Sequence, residues 1–157
     1  MYILIFMTPL DRHALAQTTR CACFSLRKAA RAVTQRYDDA LRPTGLRATQ
    51  FSLLALLRQG GTAPMTRLAE DAVMDRTTLA RNLEVLVRDG LVRVQPGADA
   101  RVREVDITRA GVAKLDEAFP HWQRAQRSMG KALGSRRLDR LVTDLSAAVT
   151  AADLQEA

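Results

Sequence analysis

Arg76, Thr77, Thr78 and Arg81 stand close together in the chain, and Asp99 and Arg101 follow in a short turn-like stretch. A guanidinium grips a phosphate or a guanine edge with two hydrogen bonds, and a threonine offers a hydroxyl to phosphate or a methyl to thymine. At 100° per residue, Thr77, Thr78, Arg81, Val85 and Arg88 share one side of a helix, while Leu79, Leu83, Leu86 and Val87 share the other. Arg76 stands at the start of that helix, where a backbone phosphate would pass. A solvated charged face is the other reading of such a surface.

A second chemistry belongs to Cys21 and Cys23, the two cysteines of the chain. Two thiols cannot build a disulfide framework, and they point to a reducing cytoplasm. A thiol near a helix start, with Arg20, Arg27 and Lys28 close by, has its thiolate favoured and reacts faster with peroxide. Within one helix the two cysteines point about 200° apart, which disfavours a bond between them. Cysteine is equally at home as a small core residue. His13 and His121 are the two histidines. With no metal-ligand spacing and no Gly-rich phosphate loop after a strand, the sequence predicts no metal, no cofactor and no enzyme.

The elements that must position these residues are legible in the hydrophobic pattern. Cys23, Leu26, Ala30, Val33, Tyr37 and Leu41 recur at three and four, so a long amphipathic helix is expected from about Thr19 to Leu41. Pro43, Thr44 and Gly45 end it. Gln50 to Leu57 is apolar almost all round and belongs at the centre of a domain. After a loop at Gly60, Gly61 and Pro64, Thr66 is expected to cap a short helix with Leu68, Ala69 and Ala72 inside. Val73, Met74 and Asp75 make a tight turn, and Asp75 caps the next helix, which closes at Gly90. Leu91 to Gln95 and Val102 to Ile107 are β-prone runs around Pro96, Gly97, Ala98 and Asp99, the pattern of a hairpin. The remainder reads as two helices, one to about Leu133 that bends at Pro120 and one from Ser135 to about Ala152.

Two short helices across a three-residue turn, then a hairpin, make a winged helix-turn-helix. The major groove, about 12 Å wide, accepts one helix whose first residues reach base edges. Bulk composition agrees: 24 Lys plus Arg against 17 Asp plus Glu give a net charge of +7. Only Lys28, Lys114 and Lys131 are lysines, so 21 of the basic residues are arginines. A polyanion is the expected partner, and a GC-rich genome would produce the same arginine bias. The excess nevertheless lies mostly outside the winged motif, because residues 58–109 carry nine basic and eight acidic side chains, and residues 20–47 carry seven against two. Binding must then rest on where the arginines point, with Glu70, Asp71 and Asp89 turned elsewhere. The opening MYILIFM is too short to span a bilayer and reads as a tail.

The stretches LRPTGLRATQFSLLALL, LAEDAVMDRTTLARNLEVLVRDGLV and DARVREVDITRAG resemble the multiple antibiotic resistance regulator (MarR) family from about Thr19 to the C-terminus. Asp99, Ala100 and Arg101 match its D-x-R wing signature, and Thr108 with Gly111 match the T-x-x-G that follows. The resemblance implies that Arg101 enters the minor groove and that Asp99 helps to hold it. It also implies that the first and last helices form a homodimer interface. CFSLRKAARAVTQRY is similar to the first helix of the organic hydroperoxide-sensing branch, where a cysteine at the place of Cys23 is oxidised and a tyrosine at that of Tyr37 contacts it across the dimer. Two further tyrosines of that branch stand here as Arg27 and Ala48. The family also uses small aromatic ligands, and Phe24, Phe51, Trp122 and Tyr37 are candidate pocket residues, although each such residue is more often plain core.

The expected fold is therefore mainly α with a small β-hairpin wing, a winged helix-turn-helix (residues 48–110) flanked by dimerisation helices (19–47 and 111–157) in a single domain. The expected function is a cytoplasmic homodimeric repressor on a palindromic double-stranded operator, released by oxidation of Cys23 or by a small aromatic ligand, with no membrane partner. A non-specific nucleoid protein and a thiol peroxidase are the rivals. The first would bind random DNA as well as any operator.

Overall fold

The computed structural model describes residue 15, residues 17–99 and residues 101–153. The opening MYILIFM, His13 and Ala100 lie outside the described residues. The chain divides into two compact units, Met1–Arg36 and Tyr37–Ala157.

A short 3-10 turn, Gln17–Arg20, precedes α1, Ala22–Leu41. Residues 21–36 are exposed along their whole length, including Phe24, Leu26 and Val33. At its other end Leu41 is fully buried, and Pro43 turns the chain through Arg42–Thr44 to Gly45, whose φ of 77° suits a residue without a Cβ.

The second unit is built around α2, Ala48–Gly60. Asp38 accepts a hydrogen bond from the Ala48 amide at 2.7 Å and so satisfies one orphan donor at the α2 start. Phe51, Leu53, Leu54 and Leu57 are buried in α2, whereas Ser52 is exposed, so this helix is central without being apolar all round. Against it pack Leu68 of α3 (Met65–Asp71) and Leu79, Leu83 and Leu86 of α4 (Arg76–Arg88). Leu91, Val92 and Val105 extend the same core into the sheet. α3 begins at Met65 after Pro64, two residues earlier than a Thr66 cap would put it, and no side chain caps it. Proline's fixed φ starts the helix there instead.

The wing strands are β2, Val92–Pro96, and β3, Arg103–Ile107, paired antiparallel from Val92↔Ile107 to Pro96↔Arg103. A strand not expected from the sequence, β1 (Ala63–Pro64), pairs with the other side of β3, giving the order β1-β3-β2. Proline donates no hydrogen bond, which suits this edge position. α5, Arg109–Leu133, contains Pro120 inside one continuous helix, and α6, Ser135–Asp153, follows after Gly134. The observed fold is mainly α with a small antiparallel sheet.

Candidate nucleic-acid interface

The turn between α3 and α4 closes on two backbone bonds, Val73 N–H to Glu70 O (3.0 Å) and Met74 N–H to Ala69 O (2.9 Å). It requires φ of 49° at Val73, a left-handed conformation that a β-branched residue rarely adopts. Asp75 then caps α4, accepting from the Thr78 amide at 2.9 Å and from the Thr78 hydroxyl at 2.6 Å. The Thr78 hydroxyl, then its amide, stabilises the charged carboxylate and holds Asp75 below the usual carboxylate range. With its hydroxyl hydrogen engaged in this way, Thr78 keeps a methyl and an acceptor for any ligand.

Arg76, Thr77, Thr78 and Arg81 are all exposed on α4, opposite the buried Leu79, Leu83 and Leu86. Two valines depart from the helical-wheel expectation: Val87 is exposed and Val85 is half-buried. Val87 lies at the margin of the buried stripe, in the last turn, where the helix leaves the core. Gly90 carries φ of 70° and ends the helix as expected.

In the wing, Asp99 Oδ1 accepts from the Arg101 amide at 2.9 Å, and Asp99 O accepts from the Val102 amide at 2.9 Å. Asp99 thus shapes the backbone that presents Arg101, holding the residue by its amide. At the base of the wing the Thr108 hydroxyl donates to Gly90 O (2.7 Å) and accepts from the Gly111 amide (3.0 Å). A Cβ on Gly111 would stand 2.0 Å from Leu91 O, so only glycine fits this corner.

The near-neutral motif acquires a polarised face by local pairing. Arg67 pairs with Asp71, Arg88 with Asp89, and Arg93 with Asp106, the last through both Nε and Nη2. Asp75 and Asp99 are committed to backbone amides. Among the described residues no ion pair is found for Arg76, Arg81, Arg101 or Arg103. A cleft of about 250 Å³ between α4 and the wing is lined by Met65, Thr66, Arg76, Leu79, Arg101, Val102 and Arg103. Arg103, not singled out in the sequence, joins the site because side chains alternate along β3 and it shares a face with Val105. A second, larger and more open concavity, also lined by Arg76, includes Glu70, Val73 and Asp75. Of the three acids expected to turn elsewhere, Asp71 and Asp89 are neutralised in ion pairs, while Glu70 remains beside Arg76 in this concavity.

The candidate switch residues fall in different places. Cys23 is exposed in the first turn of α1, and Cys21 lies before the helix, its carbonyl accepting the first helical bond from Ser25 N–H at 3.0 Å. The two thiols therefore do not share one helix, and the angular argument against their pairing does not hold. Tyr37 donates its hydroxyl hydrogen to Gln126 Oε1 of α5. Phe24 is 54% exposed. Phe51 is buried and stacks on Trp122 at 5.8 Å between ring centroids, and Phe119, absent from the sequence-derived set, also stacks on Trp122 at 5.5 Å. Phe51 is part of the core and Trp122 packs against it.

A model of the MarR family matches residues 46–102, the span from the loop before α2 to the wing. An uncharacterized HTH-type transcriptional regulator of Bacillus subtilis, YwoH, is 25% identical over 71% of this chain and 75% of its own length. The transcriptional regulator MosR of M. tuberculosis, solved in complex with DNA, is 45% identical over 84% of this chain and 98% of that one, with a TM-score of 0.74. A second MosR structure is 42% identical over 83% and 96%, with a TM-score of 0.72. These relatives are transcriptional regulators and not enzymes, which sets the thiol peroxidase reading aside. Among the described residues no helix is long and apolar enough to cross a membrane. The fold, the matched motif and the length of the shared sequence place the chain in the MarR family of transcriptional regulators.

Proposed function

We propose that the chain is a homodimeric repressor of a palindromic operator, in which α4 enters the major groove and the wing an adjacent minor groove. Arg81 reads a guanine edge, Thr77 and Thr78 contact phosphate or a thymine methyl, and Arg76 meets the backbone. Arg101, presented by Asp99, enters the minor groove. The observation that carries this reading is the set of exposed arginines on α4 and the wing that stand apart from ion pairs among the described residues while neighbouring arginines are neutralised.

A second copy of the chain supplies the other half-site. The apolar side chains exposed on the flanking helices support this: Phe24, Leu26 and Val33 on α1, and Leu141, Val142, Leu145 and Val149 on α6. Leu26 and Val33 share one side of α1, and the four α6 residues share one side of α6, as an apolar stripe on each helix would, whereas Phe24 stands on the opposite side of α1. Release comes from oxidation of the exposed Cys23, the alternative signal being a small aromatic ligand lodged near Phe51 and Trp122.

The deciding experiment is binding of the reduced protein to its own upstream intergenic DNA and to random duplex, before and after stoichiometric cumene hydroperoxide. Selective binding that is lost on oxidation, and retained by Cys23→Ser, is the expected result. Equal affinity for both duplexes would establish a nucleoid-type protein instead. Release of the Cys23→Ser protein by peroxide would remove Cys23 as the sensor.

A further inference from the structure

We infer that the cleft between α4 and the wing is a clamp for one sugar-phosphate strand of the DNA, and that Arg103 is its second phosphate-gripping side chain, opposite Arg76. The inference rests on the proposed docking of α4 and the wing in adjacent grooves. In a B-form duplex the two grooves are separated by one backbone strand. An α4 in the major groove and a wing in the neighbouring minor groove must therefore straddle that strand, and whatever lies between them faces it. The cleft lies there, lined by the start of α4 on one side and by Arg101, Val102 and Arg103 on the other.

Its chemistry suits a phosphodiester. Arg76 and Arg103 enter from different elements, both exposed, and neither forms an ion pair among the described residues. Two guanidiniums approaching from opposite walls can each take a non-bridging oxygen, while the Thr66 hydroxyl supplies a further donor. Met65, Leu79 and Val102 give an apolar floor for the deoxyribose face. β3 explains why Arg103 is there. Its partner across β2 is Pro96, and it lies on the same face of the strand as the buried Val105, whereas the Arg93–Asp106 pair occupies the opposite face.

A phosphate contact is blind to sequence, and each one lost lowers the salt dependence of binding by about one unit of slope. The test is fluorescence anisotropy of wild type, R103Q and R103K on the upstream duplex and on random duplex across a salt series. R103Q is expected to lose affinity by the same factor on both, with the slope of log K against log salt reduced by about two, one for each subunit of the dimer, and the ratio between duplexes unchanged. R103K is expected to keep the slope, because lysine still neutralises a phosphate. An unaltered slope for R103Q, or a loss confined to the upstream duplex, overturns the clamp. A wild-type protein that does not distinguish the two duplexes would defeat the proposed operator reading, yet the slope loss on both would still report the clamp.

Discussion

Asp75 does two jobs with one carboxylate, ending the turn before α4 and occupying the Thr78 hydroxyl. Its proton affinity is depressed in the fold by those two hydrogen bonds. The resulting stabilisation is fully present above the unfolded carboxylate value, about pH 4, and is lost as pH falls through the lower folded value. Thermal melts between pH 6 and 2.5, or about there, should show wild type losing more melting temperature on acidification than Asp75→Asn, whose amide caps without titrating. Parallel curves would mean that the cap is energetically silent. Arg81→Ala should cost about 1 to 3 kcal/mol at its cognate base pair and relax preference there, measured against duplexes with each base at that place. Equal loss on every sequence would make Arg81 a backbone contact. Asp75 and Arg81 were both legible from spacing alone, because a cap and a helix face are local properties. Arg103 was not, since its membership of the cleft depends on the strand register that turns it toward α4.

At the scale of elements, Val73 and Gly111 are opposite cases of backbone fit. Val73 holds a left-handed φ in the α3–α4 turn with its side chain 66% exposed. Such a conformation costs an L-residue about 1 to 2 kcal/mol, and glycine gives back part of that gain as chain entropy. Val73→Gly is thus expected to raise the unfolding free energy by several tenths to about 1 kcal/mol, seen as a higher midpoint in urea titration. A lower midpoint would show that the valine side chain makes a contact worth more than the strain. At Gly111 any Cβ meets both Leu91 O and the Ile107 side chain, so Gly111→Ala should destabilise by roughly 3 kcal/mol or more in the same titration. The sequence showed Gly111 as part of a motif and placed Val73 in the tight turn, but it did not show the left-handed φ there, because a β-branched residue carries no signal for that conformation. β1 was hidden for a similar reason: Pro64 argues against a strand unless the strand is an edge. The boundaries of α4 were readable because Asp75 and Gly90 mark them chemically.

At the scale of the whole molecule, the proposed dimer is assembled by the flanking helices. Light scattering should give twice the 17.4 kDa chain mass, and Leu145→Glu should shift it toward one chain while lowering affinity for a two-half-site duplex more than for a single half-site. A dimer undisturbed by that substitution would move the interface off α6. Amphipathic periodicity in the sequence exposed these helices, yet a stripe of leucines does not name its partner, which is why Phe51 and Trp122 read as pocket and core alike until their stacking was visible. The Thr108 corner adds a mechanical consequence. One hydroxyl ties the turn after α4, the exit of β3 and the first turn of α5, and Gly111 leaves no slack there. A helix of 25 residues is about 37 Å long, so it works as a lever bolted to both DNA-facing elements. A tilt of α5 about this corner would be passed to the turn after α4 and to the wing together, because the same hydroxyl holds both.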